Sequence, residues 1–230
     1  SARAVMRAVL GEAALCTAVS GWLAETARRI APGASIVVSP MPVDTRLFIP
    51  PRSSAPRSGV LFVGRLNAQK GLSDLLEAMV SPAMKAFDAS HPGTPTLLDI
   101  VGDGPDRAEV ETYARRALGE RVTFTGVLAD VTAAYWAIDA LLLTSRTEGM
   151  PGVVLEATLT HVPVVATDVG AVRSMFDKGI EGEVLNVDAS AAELSSGITR
   201  VLRARTDSAQ PLSGSFDWPV VVCAWNEILH

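Results

Sequence analysis

Two carboxylates, Glu148 and Glu156, stand eight residues apart, the first expected in a loop after an apolar strand and the second inside the following helix. Eight residues at helical rise span about 12 Å, close to the length of a sugar–pyrophosphate–ribose unit. Two such carboxylates could accept hydrogen bonds from hydroxyls at both ends of a ligand of that length. Between them, the backbone N–H groups of Gly152, Val153 and Val154 open a helix. Helix starts attract phosphate through free donors and the helix dipole. Gly149 lets a ligand approach the backbone closely, whereas Pro151 has no N–H and contributes shape alone. Upstream, Arg65 and Lys70 follow another apolar strand, Val60–Gly64, at the start of the next helix. Two cations there could meet a pyrophosphate, arginine through bidentate contacts and lysine as a point charge. On spacing alone each residue has a plainer reading. Glu148 is then a loop residue, Glu156 a surface helix residue, and Arg65 and Lys70 two solvated cations.

The elements that must position these residues follow a regular pattern from Gly59 onward. Apolar runs at Val60–Val63, Leu97–Val101, Val122–Phe124, Ala140–Thr144, Val162–Ala166 and Glu183–Leu185 alternate with helical segments. The helices are expected at Leu72–Val80, Pro105–Leu118, Val131–Trp136, Gly152–Thr160, Ala171–Phe176 and Ala191–Arg203. Strands that are apolar without polar alternation belong to a sheet covered on both faces. Strand–helix alternation at this spacing predicts an α/β fold with a doubly wound parallel sheet. Ligands of such sheets bind outside the carboxyl ends of the strands, which is where Arg65, Lys70 and Glu148 fall.

Residues 1–50 read as helix Ala2–Leu10, strand Ala14–Val19, helix Gly21–Ile30 behind an N-cap at Ser20, and strand Ile36–Ser39. Two such units cannot cover both faces of a sheet, so they either extend the main sheet or end a second domain. The proline-rich stretch 51–58 reads as a linker, and Asp88–Pro95 as a surface connection. The tail from Phe216 to His230, with Trp218 and Trp225 and with Pro219 at a helix start, reads as an amphipathic helix.

Composition excludes several classes. The 230 residues are 48% hydrophobic and 20% charged, within the globular range, and long enough to bury most of the chain's surface. Net charge is -5 and the basic residues are scattered, so a nucleic-acid partner is not expected. Two cysteines, Cys16 and Cys223, sit in apolar runs and read as buried free thiols, not as a disulfide framework. The longest apolar stretches, such as Val220 to Trp225, fall far short of the roughly 20 residues of a membrane span. With no signal peptide visible, a cytoplasmic location is the expectation.

Taken together, the blocks Val60-Leu61-Phe62-Val63-Gly64-Arg65-Leu66 through Lys70-Gly71, Ile100-Val101-Gly102-Asp103-Gly104-Pro105, Val122-Thr123-Phe124-Thr125-Gly126, and Glu148–Glu156 followed by Pro163-Val164-Val165-Ala166-Thr167 occur in one order. That order resembles the C-terminal domain of glycosyltransferase family 4 (group 1), whose members have the GT-B fold and are retaining and metal-independent. The resemblance is strong from about Gly59 to Phe176. It is weaker at Val19-Ser20 and at Pro40-Met41-Pro42-Val43-Asp44, which are similar to the end of the family's N-terminal domain.

The resemblance implies a Rossmann-like donor domain over residues 59–211, a remnant of the N-terminal GT-B domain over 1–50, and a crossover-type helix over 212–230. It implies that Arg65 and Lys70 hold the donor pyrophosphate and stabilise the departing nucleoside diphosphate. Glu148 would position donor-sugar hydroxyls, Glu156 would bind the ribose, and Met150 would shape the sugar pocket. Gly64, Gly149, Pro151, Gly152, Val153 and Val154 would complete the donor site, with the backbone of Gly126 and Val127 near the nucleobase. No cofactor or metal is expected, and no Asp-x-Asp sequence is present. The substrate would be a UDP-, GDP- or ADP-linked sugar. The acceptor is left open and would be bound mainly by the missing N-terminal domain, so the 230-residue chain alone is expected to bind donor without turnover. Any peripheral membrane association would also run through that missing part. A non-catalytic nucleotide-sugar-binding module and another GT-B-fold enzyme, such as a sugar-nucleotide epimerase, stand as alternatives. Three positions depart from the family pattern: Met41-Pro42 where Asn-Gly is frequent, His161 where Gly is usual, and Ala171 where a second Gly is common.

Overall fold

A computed structural model describes residues 1–50, 57–91 and 95–207. Most of the linker and the whole tail, including Cys223 and the expected helix from Phe216, lie outside the described residues.

The N-terminal part comprises α1 (Ala2–Glu12), β1 (Cys16–Ala18), α2 (Gly21–Ile30) and β2 (Ile36–Val38). Strands β1 and β2 pair in parallel as a sheet of their own and do not extend the main one. Ser20 caps α2 as its position predicts, accepting from Leu23 N–H at 3.2 Å. The core of this unit is small: Ala18, Ala24 and Ile36 are buried, and Cys16 is half-buried against them. The expectation of a buried Cys16 is therefore corrected, because a core of two alanines and one isoleucine leaves its strand partly uncovered.

The main sheet has six parallel strands: β3 (Val60–Val63), β4 (Leu98–Val101), β5 (Val122–Gly126), β6 (Ala140–Leu143), β7 (Val164–Thr167) and β8 (Gly182–Leu185). Their spatial order is β5-β4-β3-β6-β7-β8. Successive side chains of a strand point to opposite faces. Val60, Phe62, Leu98, Ile100, Ala140 and Leu142 join one core, together with side chains of α3 (Leu72–Met79), α4 (Pro82–Ser90), α5 (Arg107–Leu118) and α9 (Ala191–Asp207). Leu61, Leu141, Leu143, Val164 and Ala166 join the other, with α6 (Thr132–Ala137), α7 (Gly152–Leu159) and α8 (Val172–Phe176). Two buried faces explain why these strands carry no polar alternation.

Most boundaries shift from expectation by a residue or two. Strand β7 begins at Val164 and not Val162, because Pro163 has no N–H to give the ladder. One helix differs in kind. Helix α4 extends through Asp88 to Ser90, so the surface connection expected from Asp88 is corrected. Its start is a strong one, with Ser81 accepting from Met84 N–H at 3.2 Å and Pro82 in the first turn.

Candidate functional site

Chain order reverses direction across the sheet between β3 and β6: β4 and β5 are laid on one side of β3, then β6, β7 and β8 on the other. The helices that follow β3 and β6 pack on opposite faces of the sheet, so the carboxyl ends of these two strands are where a ligand crevice is expected in such sheets.

Lys70 and Glu148 meet in this crevice. Beyond β3 the chain passes Gly64 and Arg65 and forms a 3-10 turn, Ala68–Lys70. Gly71 ends that turn at φ 63°, and a Cβ there would collide with the carbonyl oxygen of Thr144. Thr144 at the end of β6 donates to Lys70 O at 2.9 Å, and Arg146 N–H donates to Gln69 O at 2.8 Å. Pinned in this way, Lys70 directs Nζ to Glu148 Oε1 at 2.6 Å. Its Cε lies 3.6 Å from where a Cβ on Gly64 would stand, an ordinary contact distance. Arg65, five residues earlier in the same connection, is exposed.

Glu148 Oε1 also accepts from Ser145 Oγ at 2.7 Å. Both protein donors thus converge on one carboxylate oxygen. Ser145 is fully buried, and its carbonyl accepts from Thr167 Oγ1 at 2.6 Å, which ties the loop to β7. The next turn is held from the opposite side. Gly170 takes φ 58°, and a Cβ there would stand 2.6 Å from Gly149 O and collide with Glu148 O. Ala171 N–H donates to Gly149 O at 3.0 Å.

Helix α7 begins behind Pro151. Val154 N–H is already donated to Pro151 O at 3.2 Å, so the expectation of three free donors narrows to the first-turn N–H groups of Gly152 and Val153. One turn further on, Glu156 Oε2 accepts from the hydroxyl of Tyr135 at 2.7 Å. A Cβ on Gly152 would lie 3.8 Å from Glu156 Oε1, so the second oxygen faces the helix start. Burial pushes the Glu156 carboxyl above its usual value, and the Tyr135 bond partly opposes this. Burial and the Glu156 charge raise the Tyr135 phenol well above the tyrosine range. Tyr135 therefore remains a proton donor.

The remaining expected residues are more spread out. Met150 is half-buried and packs against the core beneath α7. Gly126, at φ 73°, ends β5 and accepts from Gly102 N–H at 2.8 Å. Val127 beyond it is 77% exposed, and β4 separates its strand from β3. Gly126 and Val127 therefore stand apart from the loop that carries Lys70. The N-terminal unit leans on the near end. Ser20 Oγ is 3.4 Å from Gly149 O, and Met41 Sδ lies 3.1 Å from the Cβ position of Gly152.

Ser145 and Tyr135 were not expected from sequence. Ser145 lies three residues before Glu148 and could have been found as a local partner. Tyr135 lies 21 residues before Glu156, a separation that periodicity does not bridge. Among the described residues there is no group of three or more histidine, cysteine, aspartate or glutamate side chains able to hold a metal, and no helix long and apolar enough to cross a membrane.

Fold and crevice together define an α/β protein with a doubly wound, Rossmann-like sheet and a ligand crevice at its switch point. Residues 57–204, well over half of the chain, match the family model of glycosyl transferases group 1, and the chain belongs to that family. It is 32% identical over 209 residues to the putative teichuronic acid biosynthesis glycosyltransferase TuaC of Bacillus subtilis, covering 86% of this chain and 49% of that protein. It is 34% identical over 155 residues to 2-deoxystreptamine glucosyltransferase of Streptomyces kanamyceticus, covering 66% of this chain and 38% of that protein. The chain thus spans about half or less of the length of these relatives. Among solved structures, sucrose-phosphate synthase of Thermosynechococcus elongatus shares the fold with a TM-score of 0.75 at 24% identity, over 89% of this chain and 53% of that one. Anabaena HepE in complex with UDP-glucose does so with a TM-score of 0.74 at 22% identity, over 90% and 59%.

Proposed function

We propose that this chain is the donor half of a retaining, metal-independent glycosyltransferase and that its crevice binds a nucleoside-diphosphate sugar. The observation that carries the reading is the arrangement at the β3/β6 switch point. Lys70 and Glu148 are paired there beside the α7 start, with Glu156 one turn into that helix.

In this reading each carboxylate has one oxygen held by the protein and one turned to the ligand. Glu148 Oε1 is held by Lys70 and Ser145, and Oε2 accepts from hydroxyls of the donor sugar. Glu156 Oε2 is held by Tyr135, and Oε1 accepts from the ribose. The ammonium of Lys70 has three N–H donors, so it keeps Glu148 and still reaches a phosphate oxygen. Arg65 and the N–H groups of Gly152 and Val153 complete the pyrophosphate cradle. As the bond from the anomeric carbon to the phosphate oxygen breaks, negative charge grows on the departing diphosphate. Fixed cations and backbone donors there stabilise it in place of a divalent metal. Gly126 and Val127 border the base, and Met150 shapes the sugar pocket. The acceptor is bound mainly by groups outside this chain, so by itself the chain holds donor without turnover.

HepE, which shares the fold, is described in complex with UDP-glucose, and this supports a nucleotide-linked sugar as the ligand class. UDP, GDP and ADP, each at millimolar concentration, test the reading by thermal shift. A ligand that binds the native state alone raises its apparent stability, by about 2.7 kcal/mol at a hundred times its Kd. The reading predicts an upward shift with at least one of the three. No shift with any of them contradicts it.

A further inference from the structure

Tyr135 is fully buried in α6, yet its hydroxyl does not end in the core. It donates to Glu156 Oε2 at 2.7 Å and lies 3.4 Å from Val153 O in the first turn of α7. Phe48 holds its ring edge-on, with centroids 5.9 Å apart and planes at 83°. The phenol is thus fixed from both sides. A carboxylate at the end of a glutamate side chain has a broad terminal torsion and no preferred plane of its own. A bond from a rigid buried donor to one oxygen sets that plane and fixes the direction of the other oxygen. Here the other oxygen, Oε1, faces Gly152 at the helix start.

We infer that Tyr135 is a positioning residue, whose hydroxyl aims the free oxygen of Glu156 at the ribose of a bound nucleoside diphosphate. The inference rests on the reading of Glu156 given above. Two physical consequences belong to it. An acceptor already aimed gives up less rotational freedom when the ribose arrives. A bond donated to the carboxylate also favours its charged form, which opposes the burial that raises Glu156. Glu156 therefore stays ionised to lower pH than burial alone would allow. Among the described residues Tyr135 is the titratable group that perturbs Glu156, and no charged side chain does.

The test is calorimetric titration of UDP, GDP and ADP, each beside its 2′,3′-dideoxy counterpart, into the full chain and into Tyr135→Phe across the acid range. The variant should bind the preferred ribonucleotide about tenfold more weakly, the scale of one bond to a charged group. It should bind the dideoxy counterpart as the parent does, and its acid limb for the ribonucleotide should move to higher pH. Equal loss for both ligands, or no loss and an unmoved limb, overturns the inference and leaves the reading of the site intact. If the parent binds ribonucleotide and dideoxynucleotide alike, or binds neither, the reading of Glu156 falls and the inference with it. Should Tyr135→Phe not fold, both tyrosines, Tyr113 and Tyr135, are replaced by 3-fluorotyrosine. This more acidic phenol donates more strongly, so the acid limb should move to lower pH, and an unmoved limb overturns the inference.

Discussion

Lys70 Nζ stands 2.6 Å from Glu148 Oε1, a partly buried ion pair between side chains 24% and 14% exposed. Its partners lie 78 positions apart in the chain, so the pair joins the loop after β3 to the loop after β6. Removing one partner of such a pair leaves the other charge poorly compensated, whereas removing both does not. Lys70→Met is therefore predicted to destabilise the fold by about 1–3 kcal/mol, and Lys70→Met/Glu148→Gln by clearly less. Chemical denaturation of the parent, the single variants and the double variant checks this. Nucleotide affinity should behave differently. It falls by about tenfold or more with Lys70→Met and is not recovered in the double variant.

Glu156 gives a pH dependence of definite sign. Its carboxyl is raised above the ordinary 4.5, chiefly by burial, so the folded chain holds this proton more tightly than the unfolded chain. The stability tied to it is fully present below pH 4.5 and is lost as pH rises through the raised value. Glu156→Gln cannot ionise and can still accept from Tyr135. It is predicted to melt higher than the parent at pH 7, with the difference vanishing below pH 4.5. The same variant should bind the preferred nucleoside diphosphate about tenfold more weakly, since a charged acceptor becomes neutral. Melting curves across this pH range, with one titration at pH 7, read both effects.

Gly170 holds the turn that carries Glu148. Its φ of 58° and the closeness of the Glu148 and Gly149 carbonyls leave no room for a side chain. Gly170→Ala is predicted to cost roughly 2–4 kcal/mol, combining left-handed strain with a backbone clash. Nucleotide binding should weaken as well, because the turn must move to admit the methyl group. A variant as stable as the parent in denaturation would show that the turn is not held in this way.

His161 is in the left-handed region at φ 56°, the sole non-glycine residue among those described with a positive φ. Arg57 Nη1 donates to its carbonyl at 3.1 Å, which helps fix the backbone there. Glycine adopts this conformation without cost from a Cβ. His161→Gly is predicted to stabilise the fold by about 0.5–1 kcal/mol, raising Tm by roughly 1–4 °C with no change in nucleotide affinity.

Much of the frame was legible because both faces of the sheet are buried. Continuous apolar runs marked β3 at Val60–Val63 without error and the other main strands to within two residues. The Ser20 cap was legible for the same reason that it works, a short polar side chain before a helical run. Helix α4 carried equally plain start signals in Ser81 and Pro82, but the prolines and glycine at Pro92, Gly93 and Pro95 drew the stretch from Asp88 toward a loop. At the site, type and spacing left Arg65, Lys70, Glu148 and Glu156 open to a plain surface reading, and the ordered resemblance singled them out. Their pairing was not legible. That Lys70 binds Glu148, and that Tyr135 binds Glu156, depends on strand order and on helix packing across the second core. A linear pattern carries neither. The first is set by the β3/β6 adjacency, and the second by how closely α6 approaches α7.

In the proposed function a nucleoside diphosphate lies between the loops after β3 and β6. Hydrogen exchange of the chain with and without the best-binding of UDP, GDP and ADP tests it most directly. Slowed exchange is expected in residues 64–71 and 145–156, with β1 and α1 unaffected. Protection confined to other segments, or none at a concentration that saturates binding, would contradict it.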